Sequence, residues 1–549
     1  MKKLIIALCS LLLTSLAHAQ WQNTTYTLKS GWNAIYLHGD ATHATPAQLF
    51  AAYPAVTEVW RWNPNPDEVQ FTSTPMIPSA GTSEWSVWKS DGSASSLGQV
   101  IGQTAYLVKC SAATSVIIAQ KVLPPSAAWV RNGANLMGFP SKLTGSLYPT
   151  MGSYFATFPA AIASNVKIYK YNGGDLGPGN PVQVFSTSTE RVDRNQAYWF
   201  DSEVVGNFYA PVEISISNGS GLDFGRTGST ITVRLLNRSS TVSTVTIAPV
   251  ASANAPTGQE DITAAVPITR RVFNAGTASW TETAIDAEFT EVVGANAAVE
   301  LSFGIDRAAM TGSSNAFFAS LLRLTDSANL YDILLPVTAR KASLAGLWIG
   351  DAVVGGVQSK TAGYTGTATA QTYNLRYIVH VDDAGNARVL SQVYLGQLAG
   401  ATPQPGICTA ESALSVADKA SARRIVAAHL PLDRVLDGGT MALGGSMNCT
   451  ITTPFDDPTS PFVHQYHPDH DNKSGTTPLE AGQESYDLGR AVTFAISAAA
   501  PAGVSATGYG ASVIAGNYTE VLTGLRKDSV TVTGTFSLRR VSEIGTLTR

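Results

Sequence analysis

The stretch "YNLRYIVHVDDAGNARVLSQVYLG", residues Tyr373 to Gly396, decides the structural class of this 549-residue chain. Two segments in which apolar and polar residues alternate flank the turn residues Asp382-Asp383-Ala384-Gly385. Alternation with a period of two is typical of a half-buried strand, and a short acidic and glycine-containing turn between two such segments is a strong hairpin signal. The sequence therefore predicts an antiparallel β-hairpin at this position.

The same pattern recurs throughout the C-terminal part of the chain. In "DSVTVTGTFSLRRV", one face of the predicted strand carries Val530, Val532, Phe536 and Leu538. Threonine and serine side chains occupy the other face, because side chains alternate along a strand. At least seven such segments, with little helix, predict that residues 343–549 form an antiparallel β-barrel or sandwich.

Residues 211–342 show shorter apolar segments between Gly, Asn and Ser turns, such as "VEISISN" and "STITVRLLNRSSTVSTVTIAPV". Several short strands at this spacing predict an antiparallel sandwich. The segments "TVRLLNRSST" and "LLPVTA" resemble the immunoglobulin-like spacer domains of bacterial exoproteins. That resemblance implies a fold and no chemistry.

Two segments nearer the N-terminus follow one pattern. Each opens with Gly-x-Asn and a short apolar strand, at Gly31-Trp32-Asn33 and at Gly133-Ala134-Asn135. Each continues through an aromatic-Pro step and an alternating strand, and closes on a further strand ("GQTAYLVKC" and "RNQAYWFDS"). The matching order and spacing predict a tandem duplication, with one β-rich repeat in residues 20–124 and one in residues 125–210.

The segment "SGWNAIYL" followed by "VWRWNP" resembles the Gly-Trp-Asn repeat module of bacterial surface and secreted multidomain proteins. The resemblance covers about residues 21–210 and implies an extracellular β module. The pieces "GLWIGD", "YHPDHDN" and "GTFSLRRVSEI" resemble a C-terminal domain of large exported proteins from environmental bacteria. The predicted fold class is therefore mainly β: two tandem repeats, an immunoglobulin-like sandwich and a C-terminal barrel or sandwich.

Residues 1–19 have the three parts of a secretory signal peptide. Met1-Lys2-Lys3 is basic, Leu4 to Leu16 is apolar, and Ala17-His18-Ala19 matches a cleavage site. The apolar part is short for a membrane span, and the rest of the chain has no comparable apolar segment. We expect a cleaved signal peptide, a mature chain without a transmembrane segment, and a secreted, periplasmic or cell-surface location.

The charge pattern limits the expected partners. Charged residues make up 14% of the chain, below the share of about a quarter typical of globular domains. Loss of Lys2 and Lys3 with the signal peptide would lower the formal net charge from −4 to −6. Nucleic acids and anionic membranes are poor partners on electrostatic grounds, because no dense Lys/Arg patch is present, and we expect no nucleic-acid partner. Surface glycans or other surface proteins remain as expected partners.

The segment "PFVHQYHPDHDNKSG", Pro461 to Gly475, is the densest in metal-ligand chemistry. Its candidate ligands are His464, His467, Asp469, His470 and Asp471. Imidazoles with carboxylates suit a structural zinc or another divalent transition ion better than calcium. Pro468 keeps the segment out of a helix interior and predicts a loop. Three interpretations remain open: a polar loop held by hydrogen bonds, a structural metal clamp, or a catalytic metal centre.

Three cysteines follow the signal peptide: Cys110, Cys408 and Cys449. In an oxidising compartment, Cys408 and Cys449 are the natural disulfide pair, because both belong to the last domain. The alternative is that all three thiols are buried as small apolar side chains.

Two tryptophans of the first repeat are candidate ligand-binding residues. Trp60 and Trp62 lie two apart on a predicted strand and therefore share a face. They could form a sugar-stacking platform, or they could be core aromatics of a small β unit.

The sequence contains no nucleophile elbow, P-loop, His-Glu-x-x-His motif or dinucleotide fingerprint. We therefore expect a structural or adhesion protein of the bacterial cell surface or extracellular matrix, without catalysis. One alternative is an exported metal-dependent hydrolase with its site in residues 464–472. Another is a carbohydrate-binding protein that uses the repeat tryptophans.

Overall fold

The computed structural model describes residues 20–63, 84–130, 133–177, 179–359, 373–394, 429–453, 473–474, 477–478, 488–523 and 529–547. Strands account for 52% of these residues and helices for 4%. The predicted fold class, a mainly β multidomain chain, is confirmed. Residues 1–19, the predicted signal peptide, lie outside the described residues.

The chain forms two compact units. The first comprises the residues up to Ile305 together with Ala316–Arg340, and the second comprises Asp306–Asn315 together with Lys341–Arg549. The first unit holds the two repeats and the sandwich, and the second holds the C-terminal barrel.

The first repeat has a four-stranded sheet in the order β2-β5-β3-β4 and a separate pair, β1-β6. Its elements are β1 (Trp21–Leu28), β2 (Gly31–Leu37), α1 (Pro46–Phe50), β3 (Val56–Trp62), β4 (Trp85–Lys89), β5 (Thr104–Cys110) and β6 (Thr114–Lys121). Helix α1 begins where the sequence provides a capping box: Thr45 accepts from the Gln48 backbone, and the Gln48 side chain accepts from the Thr45 N–H.

The four-stranded sheet of the first repeat recurs in the second repeat. Its elements are β7 (Gly133–Met137), α2 (Met151–Tyr154), a 3₁₀ turn (Pro159–Ile162), β8 (Lys167–Lys170), β9 (Val182–Val184) and β10 (Tyr198–Ser202). The order β7-β10-β8-β9 matches β2-β5-β3-β4 position by position. The two segments that follow one sequence pattern therefore form two sheets of the same design.

The asparagine of each Gly-x-Asn motif ties its strand to the preceding loop. Asn33 accepts a hydrogen bond from the Lys29 N–H and donates one to the Lys29 carbonyl. Asn135 does the same with the N–H and carbonyl of Val130. Both asparagines are buried, and a buried amide is stable only when it is hydrogen-bonded. This structural role explains the residue type at this position in both copies.

The tyrosine in the last strand of each repeat has an equivalent role. The Tyr106 hydroxyl accepts from the Ile101 N–H and donates to the Ile101 carbonyl. The Tyr198 hydroxyl accepts from the Asp193 N–H and donates to the Arg191 carbonyl. In each copy the phenol anchors the loop that leads into the strand, which is why an Ala-Tyr step occurs in both "TAYLV" and "QAYWF".

The repeats are joined to each other along β2. The Trp32 N–H donates to the Gly174 carbonyl at 2.8 Å, and the Gly173 N–H donates to the Trp32 carbonyl at 3.1 Å. Gly31 has a φ of +83°, and a Cβ there would lie 2.2 Å from the Gly174 oxygen. Only glycine fits this close approach of two backbones.

The sandwich consists of two five-stranded sheets, in the orders β11-β13-β18-β15-β16 and β12-β20-β19-β14-β17. Its strands are β11 (Val212–Ile216), β12 (Leu222–Asp223), β13 (Thr230–Asn237), β14 (Ser243–Ala251), β15 (Ile268–Asn274), β16 (Ser279–Ala284), β17 (Phe289–Val293), β18 (Ala298–Ile305), β19 (Phe317–Asp326) and β20 (Asp332–Arg340). Strand β13 alternates buried and exposed residues, as a sheet with one core face requires.

The C-terminal strands form an eight-stranded antiparallel sheet in the order β24-β23-β22-β21-β30-β29-β28-β25. They are β21 (Gly346–Ser359), β22 (Tyr373–Val381), β23 (Asn386–Tyr394), β24 (His429–Thr440), β25 (Ser446–Thr453), β28 (Leu488–Ile496), β29 (Val513–Thr523) and β30 (Val530–Ser542). A two-residue pair, β26 (Lys473–Ser474) and β27 (Thr477–Pro478), lies between β25 and β28 in the chain.

This sheet is an up-and-down meander whose first strand pairs with its last, so that it curls into a nearly closed barrel. The predicted hairpin around Asp382–Gly385 is present as β22 and β23. Apolar side chains fill the interior, among them Trp348, Val379, Phe494 and Phe536. An eight-stranded barrel is narrow enough for its own side chains to fill.

Candidate binding cleft

Most of the predicted metal and disulfide residues lie outside the described residues. This applies to His464, His467, Asp469, His470 and Asp471, and also to Cys408. The predicted metal site and the Cys408–Cys449 disulfide therefore stay predictions. In the described part of the chain, no group of three or more His, Cys, Asp or Glu side chains is arranged to hold a metal ion.

The two cysteines that the structure describes are buried, Cys110 in the first repeat and Cys449 in the barrel. Burial raises the pKa of the Cys110 thiol to about 11. A thiol with such a pKa stays protonated at neutral pH and is a weak nucleophile.

The tryptophans proposed for sugar stacking are buried. Trp60 is 3% exposed and Trp62 is 8% exposed. The Trp62 Nε1–H donates to the Ala134 carbonyl of the second repeat at 3.0 Å, and its ring packs edge-on against Trp199 at 5.1 Å. These rings belong to the hydrophobic core between the repeats. They therefore act as core aromatics, the alternative to a sugar-stacking platform. A sugar could not reach their faces in this arrangement.

The first sheet is buried on both faces, which explains the burial of these tryptophans. One face packs on α1 and the β1-β6 pair through residues such as Val59 and Val108. The other face packs on the second repeat through Trp32, Trp60 and Leu107. All seven residues of β2 are buried.

Large aromatic side chains are exposed at a different place, on the hairpin of β15 and β16. Phe273 is 51% exposed and Trp280 is 50% exposed. They lie directly opposite each other in the β15–β16 register, with ring centroids 5.3 Å apart. Contiguous exposed apolar patches often mark interaction sites, whereas apolar residues exposed singly are normal, so the adjacent rings of Phe273 and Trp280 identify a candidate binding surface.

The hairpin separates from the sheet, and this separation opens a cleft. Strand β15 pairs with β18 only from Ile268 to Arg271, whereas it pairs with β16 as far as Asn274. Beyond Arg271, the edges of β15 and β18 are no longer hydrogen-bonded to each other. The resulting cleft has a volume of about 460 Å³, within the range usual for small-ligand sites.

The turn of the hairpin is held by its own side chains. Asn274 Oδ1 accepts from the Gly276 N–H at 2.9 Å, and Ala278 adopts a left-handed conformation with φ of +49°. An asparagine that bonds to the backbone two residues ahead is a common turn-forming device. The hairpin therefore presents its aromatic pair from a defined turn.

The lining of the cleft combines aromatic, charged and hydroxyl groups. It is formed by Thr230, Thr232, Arg270, Arg271, Val272, Phe273, Trp280, Glu291, Glu300, Leu301 and Ser302. Thr232, Ser302 and Arg271 are consecutive partners across β13, β18 and β15, so they form one row on one face of the sheet.

Both arginines of the cleft are paired with carboxylates. Arg271 Nε donates to Glu282 Oε1 at 3.0 Å, and Arg270 Nη2 donates to Glu291 Oε2 at 2.7 Å. The Arg271 guanidinium also lies over the Trp280 ring, 4.5 Å from its centroid. This cation–π contact holds the indole against the sheet while half of its surface stays exposed.

Two exposed aromatic rings, tilted by 58° to each other, beside hydroxyl and carboxylate groups are suited to binding. The lining provides ring faces for an apolar surface and both donors and acceptors for hydroxyl groups. Sequence reasoning missed this site. The signal that could have found it is the pair of aromatics placed symmetrically about a turn in "RRVFNAGTASWTE".

Comparisons with known proteins give little further information. No protein-family model and no curated protein matches the chain. One solved structure that matches is a Bacteroides ovatus protein described as structural genomics of unknown function, with 9% identity. The match covers 60% of this chain and 96% of that chain. Its TM-score of 0.11 shows no similarity of fold. In the described residues, no helix is long and apolar enough to cross a membrane.

Proposed function

We propose that this chain is an exported, non-catalytic adhesion protein of the bacterial cell surface or extracellular matrix, and that the cleft beside the β15–β16 hairpin is its contact site. The observation that carries the proposal is the exposed pair Phe273 and Trp280 beside that cleft. Large aromatic rings contribute much of the binding energy at recognition surfaces, because they bury a wide apolar area with few rotatable bonds.

The architecture supports an adhesive role. The repeats are joined through a buried aromatic core and through backbone hydrogen bonds at Gly174. The cleft itself lies on the sandwich, where Asn274 holds the turn of the β15–β16 hairpin. A defined turn lowers the entropy lost when a partner binds to the aromatic pair. The signal-peptide pattern of residues 1–19 supports export.

The test is an adhesion assay with the mature chain, residues 20–549. Wild-type protein on beads should bind to cells or extracted matrix of the producing bacterium, and Trp280→Ala should reduce the bound fraction several-fold. Val242→Ala is the matched control, because Val242 is a sandwich residue that is 62% exposed and does not line the cleft. Equal adhesion of wild type and Trp280→Ala would refute the proposed contact site.

A further inference from the structure

We infer that the cleft binds glycans built of neutral or amino sugars and disfavours acidic ones. This inference rests on the proposed function and specifies its ligand. It depends on three features of the cleft: the exposed ring faces, the hydroxyl and carboxylate groups beside them, and the pairing of both arginines.

The ring faces suit the apolar side of a sugar. A pyranose presents C–H groups on one face, and these carry partial positive charge because their carbons bear oxygen. The face of an aromatic ring is the negative part of its quadrupole and attracts such groups. One side of Trp280 is occupied by the Arg271 guanidinium, so the exposed remainder of the indole, with Phe273 beside it, is the available platform.

The hydrogen-bonding groups lie on the same surface as the platform. Thr232 and Ser302 are directly opposite each other across β13 and β18, and Ser302 is directly opposite Arg271. Glu300 is exposed and lines the cleft two residues before Ser302 on β18. Sugar hydroxyls both donate and accept, so hydroxyl and carboxylate groups together can satisfy them.

The charges of the lining determine which sugars are favoured. Arg270 and Arg271 are each neutralised by a glutamate, Glu291 and Glu282. None of the ion pairs between described residues involves Glu300. Arg234 lies directly opposite Glu300 across β13 and β18 but is not part of the cleft lining. The Glu300 carboxylate would repel an acidic sugar in the cleft, and both arginines of the lining are already paired with glutamates. The ammonium group of an amino sugar would be attracted to Glu300.

The size of the cleft matches this ligand class. A volume of about 460 Å³ lies in the lower half of the usual range for small-ligand sites, about 300–1,000 Å³. A short stretch of one or two sugar units fits such a space better than a folded partner. The cleft is open, so a longer glycan could continue beyond it.

The experiment begins with the mature chain on an array of neutral, amino and acidic glycans, followed by calorimetric titration with the strongest soluble ligand. We expect binding to neutral or amino glycans, and we expect Trp280→Ala to lower the affinity roughly tenfold or more. Trp280→Tyr should retain part of the affinity, because an aromatic face remains. Val242→Ala should bind as wild type does.

A second variant tests the charge argument. Glu300→Gln keeps the size and shape of the side chain but removes its charge and replaces one acceptor oxygen by an NH2 donor. It should weaken binding of an amino glycan severalfold and leave binding of its neutral or N-acetylated counterpart almost unchanged. Thermal melts of each variant report whether the fold is retained.

The outcomes separate this inference from the proposed function. Preferential binding of acidic glycans, or glycan binding unaffected by Trp280→Ala, would overturn the inference. If no glycan binds but Trp280→Ala still reduces adhesion, the proposed contact site is supported and the inference that its ligand is a glycan is wrong. If neither glycan binding nor adhesion depends on Trp280, both the inference and the proposed function fail.

Discussion

Arg490 and Glu520 form an ion pair inside the C-terminal barrel, with side chains that are 0% and 2% exposed. The Arg490 Nε–H donates to one Glu520 oxygen, and the Tyr518 hydroxyl donates to the other at 2.6 Å. The Tyr377 and Tyr518 hydroxyls lie 2.7 Å apart. Burial is the largest influence that raises the pKa of both tyrosines, so the two phenols stay neutral and the charges in this cluster belong to the ion pair.

The first prediction concerns the removal of one partner of this pair. Glu520→Gln leaves the Arg490 charge buried without its carboxylate, and loss of one partner of a buried ion pair typically costs about 3–5 kcal/mol. We expect the opening free energy of β28 and β29, measured by hydrogen–deuterium exchange of residues 20–549, to fall by this order.

The double variant Arg490→Met/Glu520→Leu is the control, because it removes both charges together. Its loss of protection should be clearly smaller than that of Glu520→Gln, since no unpaired charge stays in the interior. Wild-type exchange rates in Glu520→Gln would contradict the ion-pair argument.

The second prediction concerns the two Gly-x-Asn motifs. Asn33→Ala removes the partners of the Lys29 N–H and carbonyl, and Asn135→Ala removes those of Val130. Each change should lower the free energy of unfolding of the first unit by roughly 2 kcal/mol, the usual effect of removing buried hydrogen-bond partners.

Tryptophan fluorescence is a suitable readout, because nine of the ten tryptophans lie before residue 341. Asn23→Ala is the matched control, since Asn23 is an exposed residue of β1. If the Asn33→Ala and Asn23→Ala proteins unfold at the same urea concentration, the hydrogen bonds between Asn33 and Lys29 do not stabilise the first unit.

The third prediction concerns His38 and the pH dependence of the first unit. Burial, followed by the nearby Arg194 charge, lowers the pKa of His38 to about 3, and its Nε2 lies 2.7 Å from the Arg194 carbonyl oxygen. The unfolded chain, in which the histidine pKa is about 6.5, binds more protons than the folded chain between these two values. Stability should therefore be fully present above pH 6.5 and decrease as the pH falls toward 3.

The expected contribution of His38 is at most roughly 1.4 kcal/mol per pH unit in that window. Urea unfolding of wild type and His38→Gln at pH 7, 6, 5 and 4 measures it. The wild-type curve should fall more steeply with decreasing pH than the variant curve, while the two run parallel above pH 7. Parallel curves over the whole range would mean that His38 is not kept neutral by the fold.

The fourth prediction concerns the histidine–aspartate segment, which lies outside the described residues. If the segment is a metal clamp, native mass spectrometry of residues 20–549 will show one transition-metal ion that a chelator removes, and His467→Ala/His470→Ala will lower its occupancy. A bound metal should also raise the melting temperature of the protein, because an ion that binds the folded chain and not the unfolded chain stabilises the folded state. A chain that binds no metal and melts unchanged in chelator would favour the hydrogen-bonded polar loop.

The strands could be predicted because their signals are local. Alternation in "TVTGTFSL" and the Asp382–Gly385 turn depend on neighbouring residues only, and both β30 and the β22–β23 hairpin form where these signals lie. The repeats were visible for the same reason, since each copy carries its own Gly-x-Asn and Ala-Tyr steps.

The aromatic pair about the turn was visible in the sequence, but the cleft beside it could not be predicted in this way. Its lining comes from β13, β15, β16, β17 and β18, and the sheet order β13-β18-β15-β16 places strands beside each other that are not consecutive in the chain. The separation of the hairpin from β18 after Arg271 depends on where pairing stops, and no local pattern marks that point.

The strands, the starts of the repeats and the turn residues can be read from the sequence, because each follows from the conformational preferences of adjacent residues. Which aromatics are available to a ligand depends on tertiary packing. Trp60 and Trp280 both lie on strands with alternating side chains, yet Trp60 is covered by the second repeat and Trp280 lies on an uncovered hairpin. Burial is decided by what packs against a face, and that depends on residues distant in the chain.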